Sequence, residues 1–167
     1  FVLIAKAEWG PYPTELDIEF MTQDSSSMHH YPPCSHAQLF HGEQLPENLK
    51  LYKLWHPENA WASPRMINVI TKAAQDVQQQ FLDADPIIIG DISVQGGGPM
   101  SGHKSHRGGS DADIGIYWGN SRQHPSAFTY VSAKVFDSKT NWVLIKSLLQ
   151  SNEVERILVD QTLVDEL

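Results

Sequence analysis

The spacing of apolar residues predicts one long helix near the middle of the chain. After Ser63-Pro64, apolar side chains recur at intervals of three and four residues, which places them on one helical face. These residues are Met66, Ile70, Ala73, Val77 and Phe81. Ser63 can cap the first turn, and proline is tolerated at the first helical position. Pro86 disfavours helix at the residue before it, so the helix is predicted to end within Asp83-Ala84-Asp85.

Short β-branched or alternating runs predict strands on either side of this helix. Ile87-Ile88-Ile89 is typical of a buried strand. Apolar and polar residues alternate from Asp113 to Trp118, which predicts a strand with Asp111 and Asp113 on the face opposite the apolar one. A second alternating run from Phe128 to Phe136 is the expected partner strand.

The C-terminal pattern predicts a second helix followed by a strand. Thr140 is the predicted cap of a helix that reaches Gln150, and Glu155 to Asp160 is the predicted strand. Residues 12–59 are rich in Pro, His and Ser, and we interpret them as an irregular segment over the core. Residues 1–167 are therefore predicted to form a single α+β domain, with helices packed on one side of an antiparallel-rich sheet.

The first residues, FVLIAKAEWG, allow two interpretations. An apolar run that ends in Ala5-Lys6-Ala7 is typical of the tail of a secretory signal peptide, although the charged beginning of such a signal is missing. The same residues also fit an ordinary first strand from Val2 to Ile4. Export from the cytoplasm is left open by these residues alone.

Charge and composition exclude several classes of partner. The formal net charge is −8, and the twelve Lys and Arg residues are scattered, so we expect no nucleic-acid partner. No other run approaches the roughly 20 apolar residues that a membrane span needs. The single cysteine, Cys34, excludes a cysteine-based zinc knuckle. A metal site in this chain would have to use histidine and carboxylate ligands.

The segment from Gly102 to Ile116, GHKSHRGGSDADIGI, concentrates such ligands. Its glycines allow a loop carrying His106 to fold back toward Asp113, and imidazole and carboxylate are suitable zinc ligands. His103 could supply a third ligand or support one, and Asp111 could orient a ligating imidazole. A hydrogen bond between His and Asp that only pins the loop is the competing interpretation. The histidines between positions 29 and 56 follow no metal-site spacing and are predicted to be solvated or locally hydrogen-bonded.

A longer run containing this segment resembles a known family. GDISVQGGGPMSGHKSHRGGSDADIGIYW, from Gly90 to Trp118, is similar to the signature of the penicillin-insensitive murein endopeptidases. These belong to a wider group of zinc peptidases that includes lysostaphin-type enzymes, D-Ala-D-Ala metallopeptidases and the hedgehog signalling domain. The resemblance covers roughly the latter two thirds of the chain, and a motif of this length is much more specific than a short pattern.

The resemblance implies a hedgehog-like or D-Ala-D-Ala-peptidase-like fold and a zinc-dependent reaction. By it, His106 and Asp113 are zinc ligands and His103 is a metal-associated residue. The implied reaction is hydrolysis, by water activated on Zn2+, of the amide bond between D-alanine and diaminopimelate in peptidoglycan cross-link peptides. The implied location is the periplasm or the outside of the cell.

One part of the family pattern has no match. In the family a His-x-His pair, which supplies the third zinc ligand and helps to activate water, lies beyond the strand that resembles ERILVD. This sequence has no histidine after His124. We therefore expect the C-terminal part of the domain to be missing. The alternatives are a catalytically inactive homologue that binds cell-wall peptide, and a carboxypeptidase or dipeptidase that acts on D-Ala-D-Ala.

Overall fold

The computed structural model describes residues 2–5, 20–21, 38–119 and 133–167. Within these ranges the chain forms three α-helices and eight short strands, which confirms the predicted α+β class. In chain order they are β1 (Val2–Ala5), β2 (Phe20–Met21), β3 (Glu43–Gln44), β4 (Tyr52–Leu54), β5 (Trp61–Ala62), α1 (Pro64–Gln80), β6 (Ile87–Ile89), β7 (Asp111–Asp113), α2 (Ser138–Gln150), β8 (Val154–Asp160) and α3 (Gln161–Val164).

Helix α1 begins and buries its apolar face as its sequence predicts, but it ends at Gln80, before the predicted end within Asp83-Ala84-Asp85. Ser63 has an extended backbone, and its hydroxyl accepts a hydrogen bond from the Met66 N–H at 3.2 Å, which satisfies one of the free donors of the first turn. The predicted face is buried in the core, except for Phe81, which is partly buried just after the last helical residue. Helix α1 therefore supplies one wall of the core.

The strands form three small sheets, and the expected single antiparallel-rich sheet is wrong in this respect. The largest sheet has the order β2-β8-β1-β7, with antiparallel pairs on both sides of β1 and a parallel pair between β2 and β8. The other two sheets are the antiparallel pair β3 and β5 and the parallel pair β4 and β6. The predicted strands at Val2–Ile4, Ile87–Ile89 and Glu155–Asp160 are confirmed as parts of β1, β6 and β8.

The strand predicted from Asp113 to Trp118 is wrong in its bounds. Strand β7 covers only Asp111–Asp113, opposite Ile4 to Val2 of β1. Beyond it, Ile114 makes an isolated bridge to β6, and the Gly115 N–H donates to the Ile88 carbonyl at 2.7 Å. The chain leaves β1 and crosses to β6 at this point, so the ladder of β7 ends where the alternating pattern continues.

Helix α2 begins two residues before the predicted cap. Asp137, not Thr140, caps it: one oxygen of Asp137 accepts the Thr140 N–H at 3.1 Å and the other accepts the Thr140 hydroxyl at 2.7 Å. The predicted strand from Phe128 to Phe136 lies largely outside the described residues. Of its described part, 133–135 form a 3-10 turn, and Phe136 makes an isolated antiparallel bridge to Trp118.

A buried asparagine ties the segment after β7 to helix α2. The Asn141 side chain accepts from the Tyr117 N–H at 2.9 Å and donates to the Tyr117 carbonyl at 2.7 Å. Both residues are buried, so these bonds satisfy buried backbone groups beyond the end of β7. Tyr117, which the alternating pattern placed on the face of the aspartates, belongs to the core.

The predicted irregular segment 12–59 contributes to the core where it is described. Residues 12–19 and 22–37 lie outside the described ranges. In the described part, Leu45 and Tyr52 are almost completely buried, and β4 pairs with the buried strand β6. The described part of this segment therefore also supplies side chains to the core.

In the described ranges, no helix has both the length and the apolar character needed to cross a bilayer.

Candidate metal site

His103, His106 and Asp113 converge at one point. Each can place a ligand atom within 4.8 Å of those of the other two. His106 is buried, with 3% of its surface exposed, while His103 and Asp113 are half-buried. His106 Nε2 lies 3.2 Å from Asp113 Oδ1. The three residues that the sequence singled out as metal-binding are therefore brought together.

Backbone pairing sets the position of Asp113. It is the last residue of β7, and its N–H donates to the Asp91 carbonyl at 3.0 Å while its carbonyl accepts from the Gly90 N–H at 2.7 Å. These two bonds join the end of β7 to the segment after β6. The carboxylate is therefore carried by a backbone that is paired on both sides, with β1 and with Gly90-Asp91.

His106 has a left-handed backbone conformation, which contacts with neighbouring residues stabilise. Its φ of +54° lies in the left-handed region, which is uncommon for residues other than glycine. Asp111 Oδ2 accepts the His106 N–H at 2.8 Å and lies 3.0 Å from His106 Nδ1. Asp111 therefore fixes the backbone of His106 by a hydrogen bond and places a carboxylate beside its ring.

The two carboxylates dominate the protonation of His106. Burial by itself lowers the pKa of this imidazole, but the carboxylates of Asp111 and Asp113 outweigh burial and raise the pKa to about 10. In the metal-free protein His106 is therefore an imidazolium at neutral pH. A metal ion would have to displace this proton, and it would replace the positive charge between the same two carboxylates.

This raised pKa predicts how the stability of the metal-free protein depends on pH. Between the ordinary value near 6.5 and about 10, the folded state binds more protons than the unfolded state, so stability falls as pH rises. We expect the free energy of unfolding, measured with urea and a chelator, to fall by about 2 kcal/mol or more between pH 6.5 and 9.5. His106→Asn should remove this fall and the exposed-site variant His41→Asn should keep it. An equal fall in all three proteins would contradict the assignment.

The donor set fits a zinc ion. Two imidazoles and one carboxylate are ligands that zinc prefers, and three protein ligands leave a fourth tetrahedral position open. The separation of 3.2 Å between His106 Nε2 and Asp113 Oδ1 is close to the edge of a zinc tetrahedron, about 3.3 Å for bonds of about 2.0 Å. Asp111, behind His106, adds the carboxylate that commonly supports a ligating histidine.

A glycine lets the loop of His106 approach the rest of the protein. Gly97 has φ of +78°, and a Cβ at this position would lie 2.5 Å from both the Arg107 carbonyl oxygen and the Leu39 nitrogen. Its neighbour Gly98 donates its N–H to the same Arg107 carbonyl at 2.8 Å. The run of glycines is thus a structural turn, packed directly against the residue that follows His106.

The sequence analysis missed two residues beside the site, Asp91 and Asn59, and passed over a third, His56. Asp91 Oδ1 accepts from Asn59 Nδ2 at 2.7 Å and lies 3.0 Å from His56 Nδ1. Asp91 Oδ2 lies 3.2 Å from His103 Nε2. The described partner of His56 is therefore not local: it is a buried aspartate 35 residues later in the sequence, which also contacts a candidate ligand. The one sequence feature that could have indicated these residues is the position of Asp91 just after the buried strand β6.

The other early histidines give the site no described ligand. His41 is exposed, and the cluster of three does not include it. His29, His30 and His36 lie outside the described residues. The site as described is therefore built from the loop after β6 and from β7.

Fold and site together define an α+β domain with a candidate metal centre of two histidines and one aspartate. The sequence model of the family described as penicillin-insensitive murein endopeptidase matches residues 34–167 of the chain. The chain belongs to this family, which confirms the resemblance found in its sequence. Membership supports a peptidase activity on peptidoglycan, and the metal cluster lies within the matched region. A comparison with curated proteins finds no match.

Proposed function

We propose that the protein is a zinc-dependent endopeptidase that hydrolyses D-alanyl-diaminopimelate cross-links in peptidoglycan. The observation that carries this proposal is the convergence of His103, His106 and Asp113 in a chain of the murein endopeptidase family. Because its substrate lies outside the cytoplasm, we propose a periplasmic or secreted location. The specific bond and the metal are inferred from the resemblance and from the donor set.

In the proposed mechanism the three converging residues hold the metal. When bound, zinc supplies a Lewis acid that polarises the scissile carbonyl and lowers the pKa of a coordinated water. Asp111 keeps the ring of His106 directed between the carboxylates, and the paired backbone at the end of β7 fixes Asp113. Burial of His106 keeps water from competing at its ring nitrogens. We assign the general base to no residue of this chain.

The test is cleavage of purified cross-linked muropeptide dimers by the full-length protein. We expect conversion of dimers to monomers, complete loss of cleavage after treatment with a chelator, and recovery when zinc is added back. Cleavage that persists in the chelator would contradict zinc dependence. Product analysis separates the alternatives: release of free D-alanine without monomers would indicate a carboxypeptidase or dipeptidase, and binding of dimers without turnover an inactive homologue.

A further inference from the structure

We propose that Asp91 is a positioning residue that orients the ring of His103 for metal binding, and that Asn59 and His56 hold Asp91 in place. This inference rests on the proposed zinc site and extends it to residues outside the ligand set. Asp91 is buried, with 8% of its surface exposed, and lies two residues after β6. A buried carboxylate needs polar partners, and all of its described side-chain partners lie at this site.

Both oxygens of Asp91 are engaged, each on a different side. Oδ1 faces the segment around the 3-10 turn Pro57–Asn59, where it accepts from Asn59 and contacts His56. Oδ2 faces His103 Nε2 at 3.2 Å. A rotation of the carboxylate that favoured one side would break the contact on the other. The position of Oδ2 beside His103 is therefore set by residues 32 and 35 positions before Asp91 in the sequence.

Hydrogen bonds to two other segments also fix the backbone around Asp91. The Asn59 carbonyl accepts from the N–H groups of both Ile92 and Ser93 at 2.9 Å, so Asn59 binds this segment with its main chain as well as its side chain. The Asp91 carbonyl accepts from the Asp113 N–H at 3.0 Å. Asp91 is thus fixed relative to a candidate ligand on one side and to its own supporting residues on the other.

The contact between Asp91 and His103 affects which nitrogen of the His103 ring can bind a metal. In a neutral ring one nitrogen carries the proton and the other carries the lone pair that binds a metal. A carboxylate at Nε2 favours the proton there and leaves the lone pair on Nδ1. Asp111 stands in the same relation to His106, with its oxygen 3.0 Å from Nδ1. Each candidate histidine ligand therefore has its own supporting aspartate, as metal-ligating histidines commonly do.

The experiment is a double-mutant cycle on zinc affinity. Asp91→Asn keeps the size of the side chain but removes its charge, and we expect zinc affinity, measured by competition with a coloured chelator, to fall about 10- to 100-fold. In a His103→Ala background the same substitution should have almost no further effect. Asp76→Asn is the matched control, because Asp76 is hydrogen-bonded to Ser147 between α1 and α2 and is partly buried. It should leave zinc affinity unchanged.

A second measurement needs no metal. In the chelator-treated protein, nitrogen NMR of the His103 ring should show the Nε2–H tautomer, and Asp91→Asn should shift the ring toward a mixture of tautomers. His56→Gln is the milder variant if Asp91→Asn fails to fold, because the His56 side chain is 42% exposed. It should change zinc affinity in the same direction by less, again only when His103 is present.

The outcomes distinguish this inference from the proposed function. Weaker zinc binding only when His103 is present supports the positioning role. Equal losses in both backgrounds mean that Asp91 acts through the fold, and the inference is wrong. Unchanged zinc affinity and an unchanged His103 tautomer also overturn it while leaving the zinc site intact. A wild-type protein that binds no zinc overturns the proposed function and this inference together.

Discussion

Substitution of His106 by asparagine is expected to abolish stoichiometric zinc binding and muropeptide cleavage while the protein remains folded. His106 lies at the centre of the site, 3.2 Å from Asp113 and 3.0 Å from Asp111. Residues that only support a ligand contribute about 10- to 100-fold to metal affinity, so the loss of a direct ligand should exceed about 100-fold. Zinc content after dialysis and dimer cleavage are the measurements.

The choice of asparagine separates loss of the ligand from loss of the fold. Asparagine tolerates the left-handed backbone that His106 adopts at φ of +54°, and its amide can donate to a neighbouring carboxylate. His41 has φ of +53°, is exposed and is not one of the three clustered residues, so His41→Asn makes the same chemical change outside the ligand set. If His106→Asn retains zinc at wild-type affinity, the metal is not held by this cluster.

Substitution of Gly97 by alanine is expected to destabilise the protein and weaken zinc binding together. The new Cβ would overlap two backbone atoms, the Arg107 oxygen and the Leu39 nitrogen, at 2.5 Å. Backbone atoms cannot rotate away as a flexible side chain can, so the loop that carries His106 must move. Overpacking of this kind costs about 1–3 kcal/mol.

Gly96→Ala is the matched control for this prediction. Gly96 has the same φ of +78°, but a Cβ there would meet nothing within 4 Å. It should therefore show only the cost of left-handed backbone, about 1–2 kcal/mol, with zinc affinity unchanged. Urea unfolding and zinc competition compare the two variants. Equal effects of Gly96→Ala and Gly97→Ala would show that the close packing at Gly97 does not position the loop.

Sequence patterns predicted an element correctly where the residues that stabilise it lie within that element or next to it. Helix α1 was predicted with its cap and its buried face, because both depend on residues within a few positions of each other. The error in the bounds of β7 arose because distant residues decide where that strand ends. The alternating pattern continues to Trp118, but β7 ends at Asp113, because the chain leaves β1 there and Gly115 bonds to β6. The cap of α2 was a local error: Asp137, three residues before Thr140, caps the helix because its carboxylate accepts both the N–H and the hydroxyl of Thr140.

For the candidate site too, the sequence identified some features and the tertiary structure decided others. The sequence by itself determined the candidate residues, because His103, His106, Asp111 and Asp113 lie within eleven residues in a motif long enough to identify the family. Only the tertiary structure decided that three of them converge within 4.8 Å, and that Asp91 joins His103 to His56 and Asn59. The physical reason is that spacing along the chain governs only short-range geometry. The contacts that aim each side chain depend on the pairing of β7 with β1 and on hydrogen bonds between segments far apart in sequence.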